Sequence, residues 1–135
     1  MGSIRVALGH IDSYDDTVGA FARQLGLRSL QFHTPDNLPA TKGHWGVDEL
    51  SALRDRCAAQ GLAIEGLENV PAAHFWQVQR GLPGRDEQID AYRTTIRNLA
   101  RTGYDLLGYN FLPTYVWRTR MAGRGGVAPG CPSST

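Results

Sequence analysis

Three stretches of this chain share one plan, and that repetition constrains the fold more than any other feature. They are Gly26-Leu27-Arg28-Ser29-Leu30-Gln31-Phe32-His33, Gly61-Leu62-Ala63-Ile64-Glu65-Gly66-Leu67-Glu68 and Gly103-Tyr104-Asp105-Leu106-Leu107-Gly108-Tyr109-Asn110. Each opens on Gly and closes on a polar side chain, with a proline soon after, at Pro35, Pro71 and Pro113. A glycine at the end of a helix supplies the left-handed residue that stops it. The short apolar run behind it suits a buried strand. The proline then ends the strand, because it has no N–H to donate to a neighbour.

The segments before each glycine have a helical period. Asp15 or Asp16 is placed to cap a first helix, with Val18, Phe21, Ala22 and Leu25 on one face. Val47, Leu50, Leu53, Cys57 and Ala58 form the stripe of a second. Ile89, Tyr92, Ile96, Leu99 and Ala100 form that of a third, behind the charged turn Arg85-Asp86-Glu87. Ile4-Arg5-Val6-Ala7-Leu8 reads as a further strand. The order β-α-β-α-β-α-β predicts an α/β fold with a parallel sheet and crossover helices.

The connections after the strands are long and hold the unusual residues. All four histidines (His10, His33, His44, His74) and all three tryptophans (Trp45, Trp76, Trp117) fall at or after strand ends, and none on a helical stripe. Ligands of parallel α/β folds bind at the carboxyl ends of strands. The first strand runs into Gly9-His10-Ile11-Asp12-Ser13-Tyr14, which carries neither a dinucleotide-binding nor a P-loop glycine pattern. That favours part of a (β/α)8 TIM barrel, about four β/α units, over a nucleotide-binding sheet. A whole barrel takes about 250 residues, and this chain has 135. Residues 1–117 are expected to form an amino-terminal half-barrel, and 118–135 an irregular Gly/Pro-rich tail. From Leu106 onward there is no Asp or Glu.

Composition removes other classes. A formal charge of +1 gives no basic excess for nucleic acid. With 41% hydrophobic and 20% charged residues the chain is too apolar and too neutral for disorder. No apolar run is long enough to cross a membrane, and the start lacks the apolar stretch of a secretory leader. Two cysteines, Cys57 and Cys131, make no disulfide framework, so a cytoplasmic location is expected.

Three further runs resemble one family. Leu67-Glu68-Asn69-Val70-Pro71, the helix Tyr92-Arg93-Thr94-Thr95-Ile96-Arg97-Asn98-Leu99-Ala100, and Tyr109-Asn110-Phe111-Leu112-Pro113 with Trp117 beyond are similar to the amino-terminal half of a mannonate dehydratase. Phe32-His33-Thr34-Pro35 resembles that family's His-x-Pro after its second strand. The helix and the Y-N-F-L-P run are the most specific parts. The resemblance implies a xylose-isomerase-like barrel. It implies dehydration of D-mannonate to 2-keto-3-deoxy-D-gluconate in hexuronate breakdown, on a small sugar-acid substrate. It also implies a divalent metal, Mn2+ or Fe2+, whose His, Cys and Asp ligands come from later strands that this chain does not contain. The expectation is a truncated chain, inactive alone. A sugar isomerase or epimerase of the same superfamily, or a non-catalytic half-barrel that self-associates as a homo-oligomer, are the alternatives.

His33, Glu68 and Asn110 hold equivalent places in the three repeats, so they are expected to point at one pocket as substrate contacts. Asn110 suits hydroxyls or a loop cap, Glu68 an acid, base or ion pair, and His33 a carboxylate contact or a turn. His10 joins them from the first strand. Trp117 matches a family position and is read as a pocket wall. Trp45 and Trp76 either cover a sugar or pack loops on the rim, and Arg118 or Arg120 could pair with a carboxylate. No metal ligand is assigned, because the sequence has no H-E-x-x-H, no C-x-x-C and no tight His/Asp cluster. Cys57 is read as core.

Overall fold

The computed structural model describes residues 4–110. The elements follow the expected alternation: β1 (Ala7–Ile11), α1 (Asp16–Gln24), β2 (Ser29–His33), α2 (Val47–Ala59) and β3 (Ala63–Glu68). A 3-10 turn (Ala72–His74), α3 (Trp76–Arg80), α4 (Arg85–Arg101) and β4 (Leu107–Gly108) complete it. The sheet is parallel, in the order β1-β2-β3-β4. Each strand lies beside its predecessor, as in a (β/α)8 barrel, whereas a doubly wound sheet reverses its order at a switch point. The described part is therefore α/β, with the topology of a partial barrel. The boundary at residue 117 and the tail beyond it lie outside the described residues.

The repeated glycine does the work expected of it. Gly26, Gly61 and Gly103 have φ of 73°, 71° and 77°. After each one, the next N–H reaches back five residues: Leu27 to Ala22 O, Leu62 to Cys57 O and Tyr104 to Leu99 O, at 3.0, 3.1 and 3.0 Å. These bonds close the helix end and satisfy carbonyls that would otherwise lack a partner. Ala22, Cys57 and Leu99, the residues reached, are all buried. Sequence and packing thus agree three times over: the glycine turns the chain, and the residue behind the turn anchors the helix in the core.

Several boundaries shift. β1 starts at Ala7, three residues later than expected, because Ala7 and Leu8 pair with Ser29 and Leu30. Ile4 and Val6 stay exposed, at 97% and 69%. Phe21 and Leu25 of the α1 stripe are also half exposed, and Ala22 carries the burial on that helix with Gly19. On α2 the stripe holds at Leu50, Leu53 and Cys57, while Val47 and Ala58 are exposed. On α4 the buried face is Thr95, Asn98 and Leu99, so Ile89, Ile96 and Ala100 face outward. The physical reason is a polar contact. Trp45 N–H donates to the Thr95 hydroxyl at 3.2 Å, and the Asn98 amide donates to Trp45 O at 2.8 Å. Burying that loop backbone required partners, and α4 turns its hydroxyl and amide inward to supply them.

The core lies between the sheet and the helices: Leu30, Phe32, Leu67, Trp45, Leu50, Leu53, Cys57 and Leu99. Trp45 is wholly buried. It packs the loop before α2 onto the core, so of the two roles expected for it the structure shows packing. Trp76 is not in a loop but opens α3, half exposed, with the Arg80 guanidinium 4.9 Å above its ring. Among the described residues, no helix is long and apolar enough to cross a membrane.

Candidate functional site

Side chains alternate across a strand, so the buried positions of β2 define the other face. Leu30 and Phe32 are fully buried against the helices, which turns Gln31 and His33 to the opposite side. His33 is the register partner of Glu68 on β3. Gln31 Nε2 reaches Glu68 Oε2 at 3.5 Å, the limit of hydrogen-bond range. The expected matching of His33 and Glu68 is therefore present. Asn110 is offset from it: Glu68 pairs with Gly108, which leaves Asn110 two positions further along, exposed and past the end of β4. Trp117, Arg118, Arg120 and Cys131 lie outside the described residues.

His10 joins His33 from β1. Their rings stack with centroids 3.9 Å apart and planes at 27°. Asp12 lies between them: its Oδ1 is 3.1 Å from His10 Nε2 and 3.5 Å from His33 Nδ1. His10 lies in β1, whose register with β2 is irregular between Leu8 and Ile11, and Asp12 is the first residue past its end. One ligand atom from each of His10, Asp12 and His33 falls within 4.8 Å of the others. Asp12 joins these residues only in the fold: its H-x-D spacing from His10 is local, but its second partner His33 comes from the next strand, and only the pairing of β1 with β2 brings it near.

The loops hold this cluster firmly. Asp36 N–H donates to Asp12 O at 2.7 Å. Asn37 brackets Tyr14, accepting from its N–H at 2.7 Å and donating to its carbonyl at 3.2 Å. Thr34 and Asn69, the residues just past β2 and β3, have φ of 44° and 60°. The left-handed region is unusual for a β-branched residue, and such strain persists where surrounding bonds enforce it. Here Thr34 N–H donates to Glu68 O at 2.9 Å, and Asn69 N–H to Gly108 O at 2.9 Å. The turn also presents the Asn69 amide 3.1 Å from His33 Nε2. A hollow of about 380 Å³ opens beside the cluster, walled by His10, Asp12, Ser13, Thr17 and Phe21. That is within the size range of small-molecule sites.

The remaining histidines are elsewhere. His44 Nδ1 lies 3.2 Å from Lys42 O. His74 sits in the 3-10 turn, its pKa lowered by burial and by the proximity of His44, with Glu49 opposing. Cys57 is fully buried on α2, and burial pushes its thiol up to about 11. It is core, as expected, and far from a thiolate at neutral pH.

This geometry, two imidazoles and two carboxylates at the carboxyl ends of three parallel strands, is suited to a polyhydroxy acid or a cation. The sequence model of the family described as D-mannonate dehydratase (UxuA) matches residues 27–128. The mannonate dehydratase of Lactococcus lactis subsp. cremoris is 37% identical over 73 residues, 54% of this chain and 20% of that protein. That of Streptococcus agalactiae is 38% identical over 79 residues, 58% of this chain and 22% of that protein. The crystal structure of mannonate dehydratase from Streptococcus suis serotype 2 superposes with a TM-score of 0.63 at 26% identity, covering 83% of this chain and 33% of that one. The chain thus spans about a fifth of the length of these curated relatives, and a third of the solved one. Because the family's sequence model covers well over half of it, the chain belongs to the D-mannonate dehydratase family.

Proposed function

We propose that this chain carries a sugar-acid-binding part of a mannonate dehydratase. The reaction removes the proton beside the carboxylate of D-mannonate and expels the neighbouring hydroxyl as water, and the resulting enol becomes 2-keto-3-deoxy-D-gluconate. Such chemistry needs a base and an acid within hydrogen-bond reach of the substrate. The observation that carries the reading is the placement of His33 opposite Glu68, with His10 stacked on His33, in a chain of this family. In this reading His33 and His10 hold the substrate carboxylate, Glu68 contacts a hydroxyl, and Asn110 and Trp117 extend the contact surface.

The divalent metal that the resemblance implies is held by a His, Cys and Asp set. The described residues do not fit it, because Cys57 is sealed in the core beneath α2. We further propose that the chain is inactive on its own, consistent with the fifth of its relatives that it spans. Exposed Ile4, Val6, Phe21 and Leu25 beside β1, and Ile96 and Leu106 beside β4, are apolar flanks of the kind a closed barrel covers.

The test is made in a full-length relative. Substituting the residues aligned with His33 and Glu68 by Ala and Gln is expected to lower kcat/KM for D-mannonate about 100-fold or more. Unchanged turnover in both variants would remove these residues from the site.

A further inference from the structure

The cluster of His10, Asp12 and His33 supports more than substrate contact. We propose that His10 Nε2, His33 Nδ1 and the Asp12 carboxylate form a binding site for a borderline transition-metal dication such as Zn2+, at the carboxyl ends of β1 and β2. It differs in donor set and position from the metal centre that the family resemblance assigns to later strands. The proposal stands on donor geometry and does not rest on the sugar-acid reading.

Zinc–nitrogen and zinc–oxygen bonds of about 2.0–2.2 Å, spread tetrahedrally, set neighbouring donors roughly 3.3–3.5 Å apart. Two of the three edges are already of that kind, at 3.1 Å (His10 to Asp12) and 3.5 Å (His33 to Asp12). All three donor atoms lie within 4.8 Å of one another, and because the two rings are stacked at 27°, His10 must turn out of the stack to bring both in-plane lone pairs onto one ion. His10 and Asp12 have that freedom, with side chains 55% and 63% exposed. The backbone beneath them does not move freely, because Asp36 N–H holds the Asp12 carbonyl at 2.7 Å.

A histidine ligand must present a lone pair, and the group bonded to its other nitrogen sets which one. The Asn69 side-chain amide lies 3.1 Å from His33 Nε2. The atom there is the amide nitrogen Nδ2, and a half-turn of the amide puts its oxygen in that place, where it accepts the Nε2–H and leaves Nδ1 free to face the metal. The left-handed turn at Asn69 places the amide there. Two imidazoles and one carboxylate favour Zn2+, Ni2+ or Fe2+ over Mg2+ or Ca2+, which take oxygen ligands. Three protein donors leave a coordination position open to a water or an exogenous oxygen.

The experiment is titration calorimetry of the purified chain with ZnCl2, in parallel with MgCl2 and CaCl2. One Zn2+ per chain is expected, with no measurable binding of Mg2+ or Ca2+. His10→Ala, Asp12→Asn and His33→Ala are each expected to weaken Zn2+ by tenfold or more, and His44→Gln to leave it unchanged. Circular dichroism of each variant shows that the fold is retained. Absence of Zn2+ binding to the folded chain would overturn the proposal. So would binding that survives His10→Ala and Asp12→Asn, or that His44→Gln weakens equally. Turnover in the full-length relative tests the sugar-acid reading separately, so either can fail without the other.

Discussion

The four histidines form two pairs in opposite surroundings. His10 and His33 stack at the open end of the sheet, share one carboxylate and remain partly exposed. His44 and His74 lie where the loops before α2 and after β3 approach each other, and His74 Nδ1 is buried without a hydrogen-bond partner among the described residues. The first pair faces the Asp12 carboxylate and solvent. In the second, burial and the neighbouring imidazole of His44 lower the His74 pKa. Both pairs look alike in the sequence, as histidines after strands. What separates them is the acid that the fold brings to one pair, and the burial of the His74 ring nitrogen in the other.

This contrast is tested most strongly through the packing beneath the second pair. Trp45 is fully buried, and its backbone is held by Thr95 and Asn98. Trp45→Ala should cost about 3–5 kcal/mol, measured by urea unfolding. Trp45→Phe should cost clearly less, since the indole Nε1 is buried and unpartnered among the described residues and its loss removes an unmet donor. Equal costs for the two would show that the loop is not packed as described.

The two regions also differ in how much the sequence revealed. The helix ends were legible, because a Schellman turn leaves a local signature, Gly followed by an apolar residue. The order of strands followed from the alternation of patterns. The face of α4 was not legible. Thr95 and Asn98 are buried because Trp45, about fifty positions earlier, needs its backbone bonded. Hydrophobic period ranks a threonine and an asparagine as surface, and only the tertiary contact reverses that. β1 was placed too early for a related reason: Ile4 and Val6 are apolar but flank the edge of the sheet, and pairing with β2 begins at Ala7. At the site, His33 and Glu68 are register partners, as their equal places in the repeats imply, because both repeats end their strands at the same point. Asn110 is offset from them, because β4 is short and its Gly108 takes that level. The place of Asp12 beside both histidines is not legible in the sequence, because it depends on a neighbouring strand.

A smaller effect separates the pairs by pH. The pKa of His74 is lowered in the fold, so the folded chain prefers it neutral. An unfolded histidine takes up its proton near pH 6.5. The stability that His74 contributes is thus fully present above about 6.5, and is lost as pH falls from there towards the lowered folded value. His74→Gln should flatten the decline of Tm between pH 7 and 5.5. An unchanged slope would mean that His74 titrates in the fold as it does in the unfolded chain, and the contrast between the pairs would lose its electrostatic half.

The smallest expected effect bears on the open pair. Asp12→Asn keeps the backbone carbonyl that Asp36 binds and keeps the side-chain shape. It removes the charge facing His10 and His33. Asp12 is 63% exposed, and exposed ion pairs contribute little, roughly 0–1 kcal/mol. The stability change should therefore stay within about 0.5 kcal/mol by urea unfolding. A loss well above 1 kcal/mol would make Asp12 a structural clamp between β1 and β2, with its carboxylate committed to the fold. A near-zero loss leaves two imidazoles and a carboxylate in contact without a stability reason, and their common feature is then what they offer a ligand. That offer is a negative group flanked by two nitrogen donors at the carboxyl end of a parallel sheet, where the fold places its ligands.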